Sequence, residues 1–136
     1  MKKILILEDN AERIKLFKSL LLNKFKVNEM DVDILFTDNV EDAKKLFDKH
    51  KKFDMIFLDH DLDNRVYVDS NEPNTGYQFA KYLNEKLEDE DYKTTVIIIH
   101  TMNPIGAQNM KDALYSWSYI PFIKMETFIN DQLMIW

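Results

Sequence analysis

The sequence contains no cysteine, so a disulfide, a thiolate metal site and a thiol nucleophile are all excluded. It also lacks an apolar run long enough to cross a membrane, and its N-terminal basic pair with a few aliphatic residues is too short for a signal peptide. We therefore expect a cytoplasmic protein. The net charge of −6 argues against a broad nucleic-acid-binding surface, because such surfaces need clustered Lys and Arg. A small phosphorylated ligand held by a metal is compatible with that charge.

The length and composition of the chain suit one globular domain. With 136 residues, of which 46% are hydrophobic and 31% charged, the chain can bury a core without cross-links. It contains no internal repeat, linker or low-complexity tract. We expect a single domain over residues 1–136, with no second domain.

Short apolar runs alternate with longer amphipathic segments, which is typical of βαβ units on a parallel sheet and of the α/β class. Strands are predicted at 4–7, 34–36, 55–58, 96–99 and 119–123. A helix is predicted after each strand, and the last helix is expected to span 126–135. Candidate helix caps are Asn10, Asp38 with Glu41, Thr75 with Gln78, and Asn103 with Pro104.

Most of the polar side chains that can do chemistry follow the predicted strands. They are Glu8 and Asp9 after the first, Asp59, His60 and Asp61 after the third, His100, Thr101 and Asn103 after the fourth, and Lys124 after the fifth. In an open parallel sheet, ligands bind beyond the carboxyl ends of the strands. The sequence therefore predicts a site at that edge of the sheet.

Three of these acids, Glu8, Asp9 and Asp59, are predicted to bind a metal. Converging carboxylates repel one another unless a cation neutralises them, and oxygen ligands with room for water suit Mg²⁺, or Mn²⁺ in its place. Any single acid is explained as well by facing solvent or capping a helix. The three together, with Lys124 after the last strand, favour the metal site.

Two segments carry a resemblance to a known family. ILILEDNAERIKLF resembles the opening of response-regulator receiver domains, and FDMIFLD resembles their third strand. The resemblance implies that Glu8 and Asp9 are the acidic pair of these domains and that Asp59 is their phosphoacceptor aspartate. It places Thr101 at the hydroxyl residue after the fourth strand and Lys124 at the lysine after the fifth. The implied fold is a flavodoxin-like (βα)5 three-layer sandwich with sheet order 2-1-3-4-5.

The departures from ordinary receivers form a second pattern. Met125 stands where receivers usually have proline, histidines lie beside both Asp59 and Thr101, and the loop 62–74 is longer than theirs. The segments LDHDL and HTMNPIGAQNM closely resemble a divergent branch, the cyclic-phosphate processing receiver domains. The resemblance implies activity on a cyclic phosphate, such as a 2′,3′-cyclic phosphate on a nucleotide or on RNA in a repair setting.

Opening a cyclic phosphodiester requires activation of water and protonation of the departing ribose oxygen. Histidine titrates near neutral pH, so His60 and His100 are predicted to be an acid–base pair that faces the site from adjacent strands. Neighbours along a strand point in opposite directions, so this arrangement requires the chain to turn into a loop there. The alternative is that the histidines orient a carboxylate or the loop, or that His100 is a core residue. The full predicted catalytic set is His60, His100, Asp59, Thr101 and Lys124, and the predicted phosphate-binding set is Thr101, Asn103 and Lys124.

The long loop contributes Arg65, for gripping a phosphate, and Tyr67, for stacking on a base, although a solvated lid is the preferred interpretation. Trp117, Tyr119 and Trp136 are expected to complete the core or a dimer face.

Three functions compete. The first is metal-dependent hydrolysis of a cyclic phosphate, and the second is a single-domain response regulator that a histidine kinase phosphorylates on Asp59. The third, binding of a partner protein without chemistry, is disfavoured because the acidic set and Lys124 are complete.

Overall fold

Five strands form one parallel sheet in the computed structural model, which describes residues 1–134. The strands are β1 (Lys2–Leu7), β2 (Val32–Thr37), β3 (Met55–Leu58), β4 (Val96–Ile99) and β5 (Ser118–Tyr119). Their order is β2-β1-β3-β4-β5, which confirms the predicted receiver topology.

Helices cover both faces of the sheet. They are α1 (Ala11–Val27), α2 (Val40–His50), α3 (Gly76–Lys86), α4 (Asp89–Thr94), α5 (Pro104–Ala113) and α6 (Met125–Thr127). Helices α2, α3 and α5 pack on one face, and α1 with the C-terminal helical segment packs on the other. The result is the expected three-layer sandwich. Within residues 1–134, no helix is both long and apolar enough to span a membrane.

The side chains of the central strands alternate between these two layers. In β1, Ile4 and Ile6 point toward α1, whereas Leu5 and Leu7 point toward α2 and α3. Strands β3 and β4 alternate in the same way, so every residue of both strands is apolar, and all of their side chains except that of Val96 are buried. This alternation determines which residues beyond the strand ends share a face.

Two of the predicted helix caps form as expected. The side chain of Asn10 accepts hydrogen bonds from the backbone N–H groups of the first turn of α1, and Asn103 accepts one from Gly106. For α2 the prediction was wrong, since the capping residue is Asn39 rather than Asp38. Thr75 precedes α3, but its hydroxyl donates to carbonyl groups in the preceding loop and not to the helix.

The C-terminal part differs most from the prediction. Strand β5 has only two residues and the chain enters a 3-10 turn, Phe122–Lys124, directly after Pro121, although the N–H groups of Ile120 and Phe122 still donate to Ile99 and His100. Helix α6 follows and leads into a π-helical turn, Phe128–Gln132. The predicted helix end at Ile135 lies outside the described residues, as does Trp136.

Candidate metal and phosphate site

Three strand ends deliver Glu8, Asp59 and His100 to one point. Leu7, Leu58 and Ile99 are lateral neighbours in the sheet, and all three point toward α2, α3 and α5. The next residue of each strand therefore points to the opposite face, toward α1. Ligand atoms of Glu8, Asp59 and His100 all lie within 4.8 Å of one another, and all three side chains are buried.

Hydrogen bonds hold each member of this cluster in place. His100 Nε2 lies 3.0 Å from Glu8 Oε1, while Glu8 Oε2 accepts the N–H groups of Asp9 and Asn10 at 3.0 and 3.1 Å. Asp59 Oδ1 accepts the N–H of the following residue at 2.9 Å. The His100 ring packs edge-on against Phe17, with 5.0 Å between the centroids, and its Nδ1 has no hydrogen-bond partner in the described chain. The imidazole thus presents Nε2 to the carboxylates.

Burial sets the protonation states of the cluster. It raises the pKa of Glu8 above the usual range and the pKa of Asp59 to about 7, and it lowers the pKa of His100 to about 4. His100 is therefore uncharged at neutral pH, and its contact with Glu8 is a hydrogen bond rather than an ion pair. Two carboxylates and an uncharged imidazole form a donor set that suits a divalent cation, and a cation there would remove the cost of ionising both acids.

Above the cluster lies a cleft of about 270 Å³. Polar residues of the three strand ends and residues of the long loop line it: Glu8, Asp9, Asn10, Arg13, Asp59, Asp61, Asn64, Arg65, Val66, Tyr67, Thr101, Met102 and Asn103. Arg13 was not predicted to belong to the site. Its Nη1 lies 3.8 Å from Glu8 Oε1, and its guanidinium lies over the Phe122 ring, 4.8 Å from the centroid. The sequence feature that could have identified Arg13 is its position in the first turn of α1. Asn10 caps this helix at the end that faces the strand ends.

The predicted polar residues at the cleft have distinct surroundings. Asp9 lines the cleft, but its Oδ2 accepts the backbone N–H of Asn64 at 2.5 Å and so ties the loop to β1. Thr101 is buried, and its Oγ1 accepts the N–H of Asn103 at 3.1 Å, which leaves the hydroxyl proton free to donate. Asn103 Nδ2 donates to Asp61 Oδ1 at 3.0 Å.

His60 does not join His100. His60 directly follows Asp59, and consecutive side chains point to opposite faces of the sheet, so His60 points away from Asp59 and His100. It is not among the described residues that line the cleft. Its ring contacts Asp61 Oδ1 through Nδ1 at 2.7 Å and Ser70 Oγ through Nε2 at 2.8 Å. The expected face-to-face arrangement of the two histidines is therefore absent from residues 1–134, and the position of His60 matches the alternative in which it orients the loop.

Lys124 is also not brought to the cleft. It lies exposed on the 3-10 turn after the shortened β5, and the cleft-lining residues of the described chain do not include it. The cation beside the acids is Arg13 instead.

The family of the chain follows from its sequence match. Residues 4–116 match the family described as the Cyclic-phosphate processing Receiver domain. The chain belongs to this family. No curated protein matches the chain significantly.

Solved structures similar to this cyclic-phosphate processing receiver domain include domains and regulators of bacterial signalling proteins. One is the receiver domain of a sensor histidine kinase from Pseudomonas aeruginosa, with a TM-score of 0.64 and 16% identity over 94% of this chain and 93% of that one. That structure has a magnesium ion coordinated in its active site cleft. Another is the N-terminal domain of a response regulator from Carboxydothermus hydrogenoformans, with a TM-score of 0.60 and 19% identity over 94% and 90% of the chains. A LuxR-family DNA-binding response regulator from Staphylococcus aureus has a TM-score of 0.57 and 18% identity over 96% and 97%. At these identities the likeness establishes the fold.

In this cyclic-phosphate processing receiver domain, the loop between β3 and α3 forms one wall of the cleft. Asp61 organises it by accepting the backbone N–H groups of Tyr67 and Val68 at 2.7 and 3.2 Å. Burial raises the pKa of Asp61, but hydrogen bonds from His60, Asn103 and these N–H groups outweigh that effect, so the pKa lies below its usual value. The loop is therefore fixed by an ionised carboxylate, and His60 is one of the groups that hold this carboxylate.

Proposed function

We propose that the domain binds a divalent cation through Glu8, Asp59 and His100 and hydrolyses a cyclic phosphate held in the cleft above it. The observation that carries this proposal is the convergence of two carboxylates and a buried, uncharged imidazole, where both carboxylates line a cleft that also contains an arginine. The family of the chain supports a cyclic phosphate as the substrate class, for example a 2′,3′-cyclic phosphate on a nucleotide or an RNA end. The magnesium ion in the receiver from Pseudomonas aeruginosa supports cation binding at this end of the fold.

The donor set is compatible with Mn²⁺ as well as with Mg²⁺. Mg²⁺ prefers oxygen ligands almost exclusively, whereas Mn²⁺ accepts imidazole nitrogen together with carboxylates. His100 places Nε2 at the cluster, and its lowered pKa keeps the ring uncharged at neutral pH, so Nε2 could bind a cation in the tautomer that carries the proton on Nδ1. In this proposal His100 is a ligand and not a proton carrier.

Three further residues of the cleft, Arg13, Thr101 and Asp9, could contact the phosphate or its attacking water. Arg13 would neutralise nonbridging oxygens, where charge must be held during phosphoryl transfer, and the Thr101 hydroxyl would donate to one of them. Asp9 keeps Oδ1 available to a water or to the ligand, since its other oxygen bonds the loop. A bound divalent cation would supply Lewis-acid polarisation of the phosphate and a lowered pKa of water.

His60 takes a positioning role in this proposal rather than an acid–base role. It has both ring nitrogens engaged, by Asp61 and by Ser70, and it faces away from the cleft. Replacing it would loosen the loop that forms the cleft wall and leave the cation ligands unchanged.

The second candidate is phosphorylation of Asp59 by a histidine kinase. One observation favours it: Asp59 lines the cleft with Thr101, as a phosphoacceptor would. Against it, Asp59 is only 4% exposed and shares its position with Glu8 and His100.

The test compares hydrolysis of 2′,3′-cyclic nucleotides by the wild type and by His100→Ala, with Mg²⁺ or Mn²⁺, alongside Mn²⁺ binding by titration calorimetry. We expect His100→Ala to lose both activity and Mn²⁺ binding. His60→Ala should keep Mn²⁺ binding, and His50→Ala, at the far end of α2, serves as the matched control. No hydrolysis by the wild type at any pH or with either metal would refute the activity for these substrates. Stable labelling of Asp59 by a small phosphodonor would instead support the second candidate.

A further inference from the structure

Three exposed apolar side chains surround the mouth of the cleft. Val66 is 78% exposed, Tyr67 75% and Met102 44%, and all three line the same cleft as Asp59 and Thr101. Single exposed apolar residues are common and need no explanation. These three come from two separate segments, the β3–α3 loop and the β4–α5 connection, and meet at one opening. The cleft therefore has a polar floor, and these three apolar side chains share its rim with the exposed polar residues Asn10, Asn64 and Arg65.

The loop backbone holds Tyr67 at this rim. Its φ of 53° lies in the left-handed region, which is unfavourable for a bulky side chain. The bond from its N–H to Asp61 Oδ2 maintains that conformation, and His60 and Asn103 hold Asp61 in turn. The backbone is thus strongly constrained, while the Tyr67 ring and hydroxyl contact no aromatic ring or hydrogen-bond partner among the described residues.

We propose that Val66, Tyr67 and Met102 form a subsite for a nucleobase attached to the cyclic phosphate. This inference rests on the proposed function, and it specifies the substrate as a nucleotide or the last nucleotide of a strand. A planar base can stack on the Tyr67 ring whatever its identity, and the Met102 thioether can contact the edge of the base. Such a ligand places its charged phosphate over the acidic floor with its cation and its apolar ring against the rim.

A protein partner fits this rim less well. A stable protein interface buries about 800 Å² on each partner, whereas the apolar part of this rim is only three side chains around a concave opening. A long nucleic-acid strand is disfavoured by the net charge of −6, and Arg65 is already engaged by Glu72 at 3.1 Å and Asp63 at 3.6 Å. A single base with its cyclic phosphate needs only the three apolar side chains for the base, and the bound cation with Arg13 would offset the charge of the phosphate beside the acids.

The experiment compares two substrates in the presence of Mn²⁺: cytidine 2′,3′-cyclic monophosphate, and glycerol 1,2-cyclic phosphate, which has no base. We expect Tyr67→Ala to raise KM for the nucleotide about 10-fold and to leave KM for the glycerol ester unchanged. Tyr67→Phe keeps the ring and should stay within about twofold of the wild type. Tyr115→Ala removes a tyrosine that is 70% exposed and does not line the cleft, and it is the matched control.

Two outcomes would overturn the subsite while the proposed function stands. The wild type would turn over both substrates with the same KM, or Tyr67→Ala would affect both substrates equally, which would mean that Tyr67 acts only through the loop. Turnover of neither substrate by the wild type would refute the proposed function and the subsite with it.

Discussion

Replacing Gly106 with alanine should destabilise the domain, although helix propensity alone predicts the opposite. Gly106 lies in the first turn of α5, where its N–H donates to Asn103 Oδ1 at 3.0 Å. A Cβ at this position would lie 2.4 Å from Cγ of the buried His60 ring, 2.6 Å from Nδ1 and 2.7 Å from Cδ2. These distances are too short for any non-bonded contact, so the ring must move.

The cost follows from what holds the ring. Moving His60 breaks or lengthens its bonds to Asp61 and Ser70, and each buried hydrogen bond left unmade costs about 1–3 kcal/mol. The higher helix propensity of alanine offsets about 1 kcal/mol of this loss in stability. The free energy of unfolding of Gly106→Ala should therefore be about 1–5 kcal/mol below that of the wild type.

Urea unfolding of a double-mutant cycle with His60→Ala measures this contact. Without the imidazole the added methyl group has space, so Gly106→Ala in that background should be neutral or stabilising by up to about 1 kcal/mol. Midpoints should shift while the slope of the transition stays constant. An equal loss of stability in both backgrounds would show that His60 is not what Gly106 accommodates, and the reasoning would be refuted.

Two further predictions concern charges at the site. In metal-free protein the pKa of Asp59 is raised to about 7, so the folded state keeps a proton that the unfolded chain loses above about pH 4. The free energy of unfolding should therefore fall as the pH rises from about 4 to 7, by at most about 1.4 kcal/mol per pH unit from this group. Thermal unfolding of Asp59→Asn in EDTA should show a stability advantage over the wild type that grows across this window, and a constant difference would contradict the raised pKa. Arg13→Ala should weaken binding of inorganic phosphate with Mn²⁺ about 10-fold by titration calorimetry, because a charged hydrogen bond is lost, whereas Lys124→Ala should change it less than about twofold. The reverse ranking would restore the role that the sequence assigns to Lys124.

The acids of the site were predictable because they follow apolar runs that can only be buried strands. Glu8 and Asp59 come directly after such runs, and ligands of parallel sheets bind at their carboxyl ends. The fold was predictable for the same reason, together with the resemblance of the chain to receiver domains. The face of the sheet to which each histidine points was not predictable, because it depends on the register of β3 against β4.

That register separates His60 from His100. With Leu58 opposite Ile99, Asp59 and His100 point to one face of the sheet and His60 to the other. Because side chains alternate along a strand, the sequence already indicated a conflict. His60 with Asp59, and His100 with Thr101, could not all face one pocket if both strands stayed regular. Only the pairing of the strands shows which of the two histidines faces the acids.

From the residues alone we could predict an α/β domain, the acidic strand ends and the place of the long loop, because burial in strands and helices follows local patterns. The receiver-like order of the strands came from the resemblance to that family. Only the tertiary structure decided that His100 joins Glu8 and Asp59, that His60 holds the loop, and that Arg13 lies at the cleft in place of Lys124. Those outcomes depend on strand pairing, on the early end of β5 and on the approach of α1, and all of these arise from contacts between residues far apart in the chain.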